Sequence, residues 1–281
     1  MSPALTLIGF GEAGQTFARH GGWGPAARAY DKLTDSSETR PAKEADYLAA
    51  GVEGTESAAA AVAGASVVLS LVTADQALEA ARAVAQAIEP GALYIDFNSV
   101  APQTKREAAE MIHQAGGVYV DAAIMAPVQP KALDVPLLIS GPGSAAGQRA
   151  LIELGFSPRV IEGPVGQAST IKMLRSVIVK GIEALTAECF LAAEAEGVAT
   201  EVARSLDSSE ESKNWSERAR YNLERIESHG LRRAAEMEEA AKTVEAISGS
   251  ADMSRATAIV QRRMFESRKK ATGERSEAEA A

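Results

Sequence analysis

The segment Gly9-Phe10-Gly11-Glu12-Ala13-Gly14 follows the apolar run Ala4-Leu5-Thr6-Leu7-Ile8 and leads into a helical pattern that lasts to about His20. No other feature limits the fold as strongly, because glycines at this spacing have separate tasks only at a strand–turn–helix junction. Gly9 permits the tight turn, Gly14 lets the helix pack closely on the strand, and Gly11 lets a ligand approach the backbone. The N–H groups at the start of the helix, aided by its dipole, favour an anion such as a pyrophosphate. A second strand, Arg28-Ala29-Tyr30, ends at Asp31, where a carboxylate can accept hydrogen bonds from ribose hydroxyls. A pyrophosphate next to a ribose describes a dinucleotide. The unit therefore predicts NAD, held by Gly9, Phe10, Gly11, Glu12, Ala13, Gly14 and Asp31. The charge of Asp31 opposes a 2′-phosphate, whereas Lys32, Arg28 and Arg40 close by leave NADP possible. Thr73, closing the strand Val67–Leu71, is placed to meet the cofactor ribose.

Up to about residue 162, short apolar runs alternate with alanine-rich helical patterns. Strands are expected at 67–71, 93–96, 118–120, 137–139 and 159–161, and helices near 41–50, 56–63, 75–89, 102–115 and 144–155. Apolar strands alternating with helices indicate an α/β, Rossmann-type, mostly parallel sheet covered on both faces. After Gly166 the pattern changes. Residues 167–197 contain no proline and, before Gly197, one glycine, Gly181, which predicts a single long helix. Helical patterns follow at about 200–227, 230–247 and 251–268. The expected organisation is a nucleotide-binding domain over 1–163, an all-helical C-terminal domain over 164–268, and a charged, disordered tail over 269–281.

The net charge is −9, with 29 basic and 38 acidic residues in 281. That balance argues against nucleic acid or an anionic membrane as a partner. A single cysteine, Cys189, and three scattered histidines (His20, His113, His229) give no metal-ligand spacing, so no metal is expected. No apolar run reaches the length of a membrane helix, and no leader pattern precedes the first strand. A cytoplasmic protein is the resulting expectation. The amphipathic helices after 200 would bury their apolar stripes against a second subunit, which predicts a homodimer through the helical domain.

Three segments resemble, in order, the β-hydroxyacid dehydrogenase superfamily, which includes 3-hydroxyisobutyrate and 6-phosphogluconate dehydrogenases. Asp96-Phe97-Asn98-Ser99-Val100-Ala101-Pro102 is similar to the family's D-x-S-T-x-x-P segment, whose polar side chains face substrate and nicotinamide. Val120-Asp121-Ala122-Ala123-Ile124-Met125-Ala126-Pro127 occupies the place of the substrate-binding D-A-P-V-S-G-G segment. Gly166-Gln167-Ala168-Ser169-Thr170-Ile171-Lys172 resembles the G-x-G-x-x-x-K stretch, whose lysine is the catalytic acid/base. The resemblance implies that Lys172 is catalytic and projects into the cleft between the domains. It also implies that Asn98, Ser99, Met125, Ala126, Arg175 and Ser176 line the place of a small-molecule substrate. Chemistry gives the lysine a reason: reducing a carbonyl requires a proton for the oxygen as negative charge develops.

Two departures stand out. Met125-Ala126-Pro127 replaces S-G-G, where proline removes an amide donor and methionine supplies soft apolar surface. Ser176 stands where the family has asparagine, preceded by Arg175. A bulkier or more apolar hydroxyacid or ketone is therefore expected. His229-Gly230-Leu231-Arg232-Arg233-Ala234-Ala235-Glu236-Met237 is similar to the C-terminal domain of an atypical 6-phosphogluconate-dehydrogenase-like branch, which would bring His229, Arg232 or Arg233 toward an anionic substrate. The expectation is an NAD(P)-dependent oxidoreductase that interconverts a hydroxyl and a carbonyl. The alternatives are imine reduction, whose known relatives generally lack this lysine, and a non-catalytic NAD(H)-binding sensor or scaffold.

Overall fold

The computed structural model describes residues 4–209 and 214–279. The chain divides into two compact units, Met1–Lys172 and Met173–Ala281, so the division falls inside the long helix rather than before it.

The first unit runs β1 (Leu5–Ile8), α1 (Glu12–Gly21), β2 (Ala27–Tyr30), α2 (Arg40–Ala50), β3 (Glu53–Gly54), α3 (Ala58–Val62), β4 (Val67–Ser70), α4 (Ala77–Ala85), β5 (Leu93–Asp96), α5 (Pro102–Gln114), β6 (Val118–Ile124), β7 (Leu137–Ser140), α6 (Ser144–Glu153) and β8 (Pro158–Val160). The strands form one sheet in the order β3-β2-β1-β4-β5-β6-β7-β8. All neighbours are parallel except β6 and β7, which pair antiparallel. The direction of winding reverses between β1 and β4. At such a switch point the loops after adjacent strands diverge and leave a crevice at the strands' carboxyl ends.

Side chains alternate between the two faces, as a pleated strand requires. Leu5, Leu7, Leu69, Ile95, Phe97, Val120 and Ala122 join Phe17, Tyr47 and Leu151 in one core layer. Ile8, Val68, Tyr94 and Tyr119 join Ala61, Val84, Ala108 and Ile112 in the other. Both faces are thus dry, which explains why the strands read as continuous apolar runs. The sequence reading missed the two-residue edge strand β3, which is too short to carry a periodic signal. It also stopped β6 four residues early, because Asp121 interrupts the apolar run.

The second unit is helical. It holds most of α7 (Gln167–Ala195), α8 (Ala199–Ser209), α9 (Trp215–Ser248) and α10 (Asp252–Glu279). The helix expected over 200–227 is two helices in the structure, with 210–213 outside the described residues. Those expected over 200–227 and 230–247 are joined, because α9 runs unbroken through Gly230. There a β-carbon would lie 2.6 Å from Phe265 Cβ and 2.9 Å from the Gln261 carbonyl. Gly230 is therefore a close-packing point between α9 and α10 rather than a break. The tail expected to be disordered from 269 continues α10 as helix to Glu279; its alanine, glutamate, lysine and arginine content is that of a good helix former. Residues 280–281 lie outside the described residues.

Candidate functional site

Gly11 is the N-cap of α1, and no side chain caps that end. The three glycines of the turn differ in what surrounds them. Gly9 has φ +89°, and a β-carbon there would lie 2.6 Å from the Leu71 carbonyl oxygen; one at Gly14 would lie 2.9 Å from the Gly9 oxygen. The fold itself demands both. A β-carbon on Gly11 would meet nothing within 4 Å. Its missing side chain serves nothing inside the protein and leaves the helix mouth open, as a docked pyrophosphate requires.

The intervening peptide is held on both sides. Phe10 N–H donates to Asp31 Oδ2 (2.7 Å), and Phe10 C=O accepts from Lys43 Nζ (2.9 Å), a nearly buried lysine that also pairs with Asp46. The Phe10 ring is buried against Tyr47, with centroids 5.0 Å apart. Phe10 therefore serves the turn through its backbone, and its side chain is core. Asp31 Oδ1 accepts from Leu33 N (3.0 Å), so this half-buried carboxylate braces the loop as well as standing at the end of β2. Glu12 is exposed and Ala13 half-buried in the first turn. Lys32 is exposed beside Asp31. Arg28 reaches away from Asp31, donating to the Ala60 and Ala63 carbonyls, and Arg40 donates to Thr34 O. Thr73 is exposed after β4, and its hydroxyl, with Gln76, draws the Asp75 carboxyl below its usual range.

A polar row crosses four strands, at the last residues of β4, β5 and β7 and the middle of β6. Ser70 pairs in register with Asp96, Asp96 with Asp121, and Asp121 with Ser140, and all four are fully buried. The buried Lys105 of α5 reaches into this row, 3.0 Å from Asp96 Oδ1 and 3.5 Å from Asp121 Oδ1. Asp96 and Asp121 thus face inward, not toward a ligand. Asn98 likewise turns inward: its Oδ1 accepts from Val72 N (2.7 Å) and its Nδ2 donates to Ser70 Oγ (2.9 Å). Its amide ties the ends of β4 and β5 together, which corrects its expected place in the substrate lining. Ser99, the next residue, is half-exposed and accepts a hydrogen bond from Lys172 Nζ at 2.5 Å. The sequence placed these two 73 residues apart in separate motifs, and the fold brings them together.

Met125 packs with Ala123, Leu138, Ala168 and Ile171 and is half-buried, so it fills space between the sheet and the first turns of α7. Ala126 is half-buried beside it. Beyond Lys172 the helix enters the second unit. There Arg175 is exposed, while Ser176 is buried and accepts from Lys180 Nζ (3.3 Å), which also pairs with Glu236 (2.7 Å). Arg233 is buried against Glu183, and that burial draws its guanidinium below its usual range. An inward ion pair within the helical unit therefore replaces its expected role toward an anionic substrate. Lys105, Tyr119, Ser140 and Ser169 are residues of this region that the sequence reading did not single out. A signal existed for Lys105, which falls with Ala108, Ala109 and Ile112 on one buried helical stripe.

Comparison with known proteins agrees with this geometry. Residues 193–264 match a domain of unknown function, DUF1932. An uncharacterized 28.5 kDa protein of Methanothermus fervidus is 32% identical over 149 residues, 53% of this chain and 56% of that protein. The match thus spans little more than half of that curated relative. A conserved hypothetical protein from Sinorhizobium meliloti is 38% identical, over 93% of this chain and 88% of its own, with a TM-score of 0.75. Two more distant structures share the fold. One is 3-hydroxyisobutyrate dehydrogenase of Mycobacterium tuberculosis, solved with L-serine, at 19% identity, 94% of each chain and TM-score 0.74. The other is a reductive aminase from Aspergillus terreus, solved with NADPH and ethyl levulinate, at 19% identity, 95% of each chain and TM-score 0.59. Residues 4–148, half of the chain and the whole of the glycine-turn region, match the NAD binding domain of 6-phosphogluconate dehydrogenase, and the chain belongs to that family of NAD(P)-binding proteins.

Proposed function

We propose that the protein is an NAD(P)-dependent oxidoreductase that interconverts a hydroxyl and a carbonyl on a small hydroxyacid or ketone, with Lys172 as the proton donor and acceptor. The observation that carries the reading is the 2.5 Å hydrogen bond from Lys172 Nζ to Ser99 Oγ, just beyond the carboxyl end of β5. A bound nicotinamide supplies or accepts a hydride at the substrate carbon. The mouth of α1 at Gly11 would receive the pyrophosphate, with Asp31 toward the adenosine ribose. In the reductive direction Lys172 donates a proton from its ammonium to the carbonyl oxygen as negative charge develops there, and regains one from solvent afterwards. In the oxidative direction its neutral amine takes the hydroxyl proton. Ser99, bonded to Nζ, fixes the direction of the ammonium and offers a second polar contact to the same oxygen. The half-burial of both residues limits competing water.

Turnover of NADH and NADPH against a panel of ketoacids, hydroxyacids, ketones and cyclic imines tests this reading. Carbonyl or hydroxyl turnover that falls about 100-fold or more in Lys172→Ala is expected for an acid/base residue. Equal rates in the variant would overturn the mechanism, and activity confined to imines would replace the reaction class. For cofactor choice, the Asp31 carboxylate supports NADH over NADPH, and tighter NADPH binding would reverse that preference.

A homodimer is part of the same proposal. Leu174, Ile178 and Leu185 are exposed along one stripe of α7, and Leu231, Ile247, Met253 and Ile259 are exposed on α9 and α10; a second copy would cover them. A monomeric mass in sedimentation at micromolar concentration would refute it. No helix among the described residues is long and apolar enough to cross a membrane, and a reduced, cytoplasmic setting suits the single cysteine.

A further inference from the structure

Asp96 and Asp121 lie side by side on neighbouring strands, both without exposed surface. Two buried carboxylates in register repel, and each has lost its hydration. Such a pair persists only inside a shell of donors. Lys105 supplies the shared cation, also donating to Asp96 O at 2.6 Å. The other donors come from two separate places. Asp96 receives Asn98 N–H (2.8 Å) and the Tyr119 hydroxyl (2.5 Å), so it fixes the turn that presents Ser99. Asp121 receives Gly166 N–H (3.1 Å), Ser169 N–H (3.0 Å), the Ser169 hydroxyl (2.6 Å) and the Ser140 hydroxyl (3.0 Å). Ser140 Oγ in turn accepts Ala168 N–H at 3.0 Å. These amides belong to Gly166, just before α7, and to the first turn of that helix, one turn before Lys172. A carboxylate there satisfies amides that the helix leaves unbonded, and it meets the positive end of the helix dipole.

A buried ionic cluster contributes little net stability compared with apolar residues of the same volume; its effect is on geometry. We infer that Lys105 and Asp121 are positioning residues for the Lys172–Ser99 pair. Asp96 sets the loop carrying Ser99, Asp121 sets the turn of α7 carrying Lys172, and Lys105 holds the two acids at a fixed separation. The consequence for catalysis rests on the reading of Lys172 as the proton-transfer residue, while the placement of Lys172 can be tested without it.

Asp121→Asn is the first variant, because a carboxamide keeps one accepting oxygen, replaces the other with a donating NH2, and leaves Lys105 and Asp96 as a balanced pair. Ser169→Ala is the milder second variant and removes one hydroxyl from the same acid. The lysines are labelled by reductive ¹³C-methylation, the Lys172 signal is identified by its loss in Lys172→Arg, and amide exchange is followed across residues 166–172. In Asp121→Asn the Lys172 signal is expected to move to the position of solvent lysines. Exchange there should quicken about tenfold, the equivalent of one lost hydrogen bond. Ser169→Ala should move both readouts in the same direction by less. NADH affinity, read at the distant glycine turn, should stay within about twofold of wild type because independent sites add.

A folded Asp121→Asn with the wild-type Lys172 signal and exchange rates overturns the proposal. If Asp121→Asn does not fold, the same result in Ser169→Ala overturns it. A displaced Lys172 signal together with full turnover in Lys172→Ala would sink the catalytic reading and leave the positioning intact. An unmoved signal with an inactive Lys172→Ala would do the reverse.

Discussion

The glycine turn makes a prediction that separates the demands of the fold from those of the ligand. Gly9→Ala forces an L-residue to φ +89° and places its β-carbon 2.6 Å from the Leu71 oxygen and 2.8 Å from the Leu71 carbonyl carbon. Left-handed backbone costs about 1–2 kcal/mol, and overpacking against backbone that cannot swing aside adds about 1–3 kcal/mol. The expected loss is therefore about 2–5 kcal/mol, or roughly a 5–15 °C fall in Tm for a chain of this size. Gly11→Val behaves differently. Its φ is −84° and nothing lies within 4 Å of the new β-carbon, so stability should stay within about 0.5 kcal/mol of wild type. The branched side chain instead fills the space in front of the first-turn amides. Losing one charge-assisted hydrogen bond to a pyrophosphate costs about 1.5–3 kcal/mol, which weakens NADH binding about 10- to 150-fold. Thermal unfolding without ligand and an NADH fluorescence titration read the two effects separately. The reasoning fails if Gly11→Val melts as early as Gly9→Ala, or if it binds NADH with the wild-type Kd.

Lys43→Met should weaken NADH binding about three- to tenfold, the equivalent of one modest hydrogen bond. In a trans peptide the Phe10 carbonyl and the Gly11 N–H point in opposite directions, so the lysine that holds the carbonyl aims the amide. An unchanged Kd in a folded variant contradicts this. Lys105→Met leaves Asp96 and Asp121 buried without their cation and should cost about 3–5 kcal/mol in urea unfolding; a loss below about 1 kcal/mol would mean the acids are neutralised in some other way. The buried Tyr94 and Tyr119 phenols are both pushed up, chiefly by burial and then by Asp96. The folded state keeps these protons above about pH 10, where the unfolded chain releases them, so stability falls as pH rises. Each tyrosine contributes a slope of about 1.4 kcal/mol per pH unit, and urea unfolding free energies that stay flat between about pH 9 and 11 would refute the assignment.

Much of the first unit was legible because its signals are local. Strands buried on both faces read as apolar runs, and Pro90-Gly91 and Gly116-Gly117 punctuate them. Where tertiary contact overrides local preference, the reading failed. Gly230 looks like a break from the sequence, yet the backbone of α10 lies against it and needs the missing side chain. The short strand β3 has no periodicity to detect, and the continuation of β6 is hidden behind a charged residue whose partner lies on another element.

The site divides along the same line. Gly9, Gly11, Gly14 and Asp31 occupy consecutive pieces of one βαβ unit, so their spacing alone points to an NAD(P)-binding domain. The resemblance supplied Ser99 and Lys172 as separate motifs, but their contact depends on how the end of β5 and the start of α7 are anchored. Those anchors are long-range. Asp96, Lys105, Asp121 and Ser169 come from two strands and two helices, and no one-dimensional pattern marks an acid as facing inward. One indirect sign is available: a lysine on a helical stripe otherwise made of Ala108, Ala109 and Ile112, in a chain where one apolar strand ends in Asp96 and the next is interrupted by Asp121. A cation on a dry face requires an anion within reach, and two buried acids in register on neighbouring strands require a cation between them. Each anomaly explains the other, which makes buried charge a more informative signal for this site than the motif residues themselves. Motif position alone does not reveal that both amide atoms of Asn98 are turned inward to Val72 and Ser70, or that Met125 packs against Ala168 and Ile171; such contacts are fixed by chain segments far away in sequence.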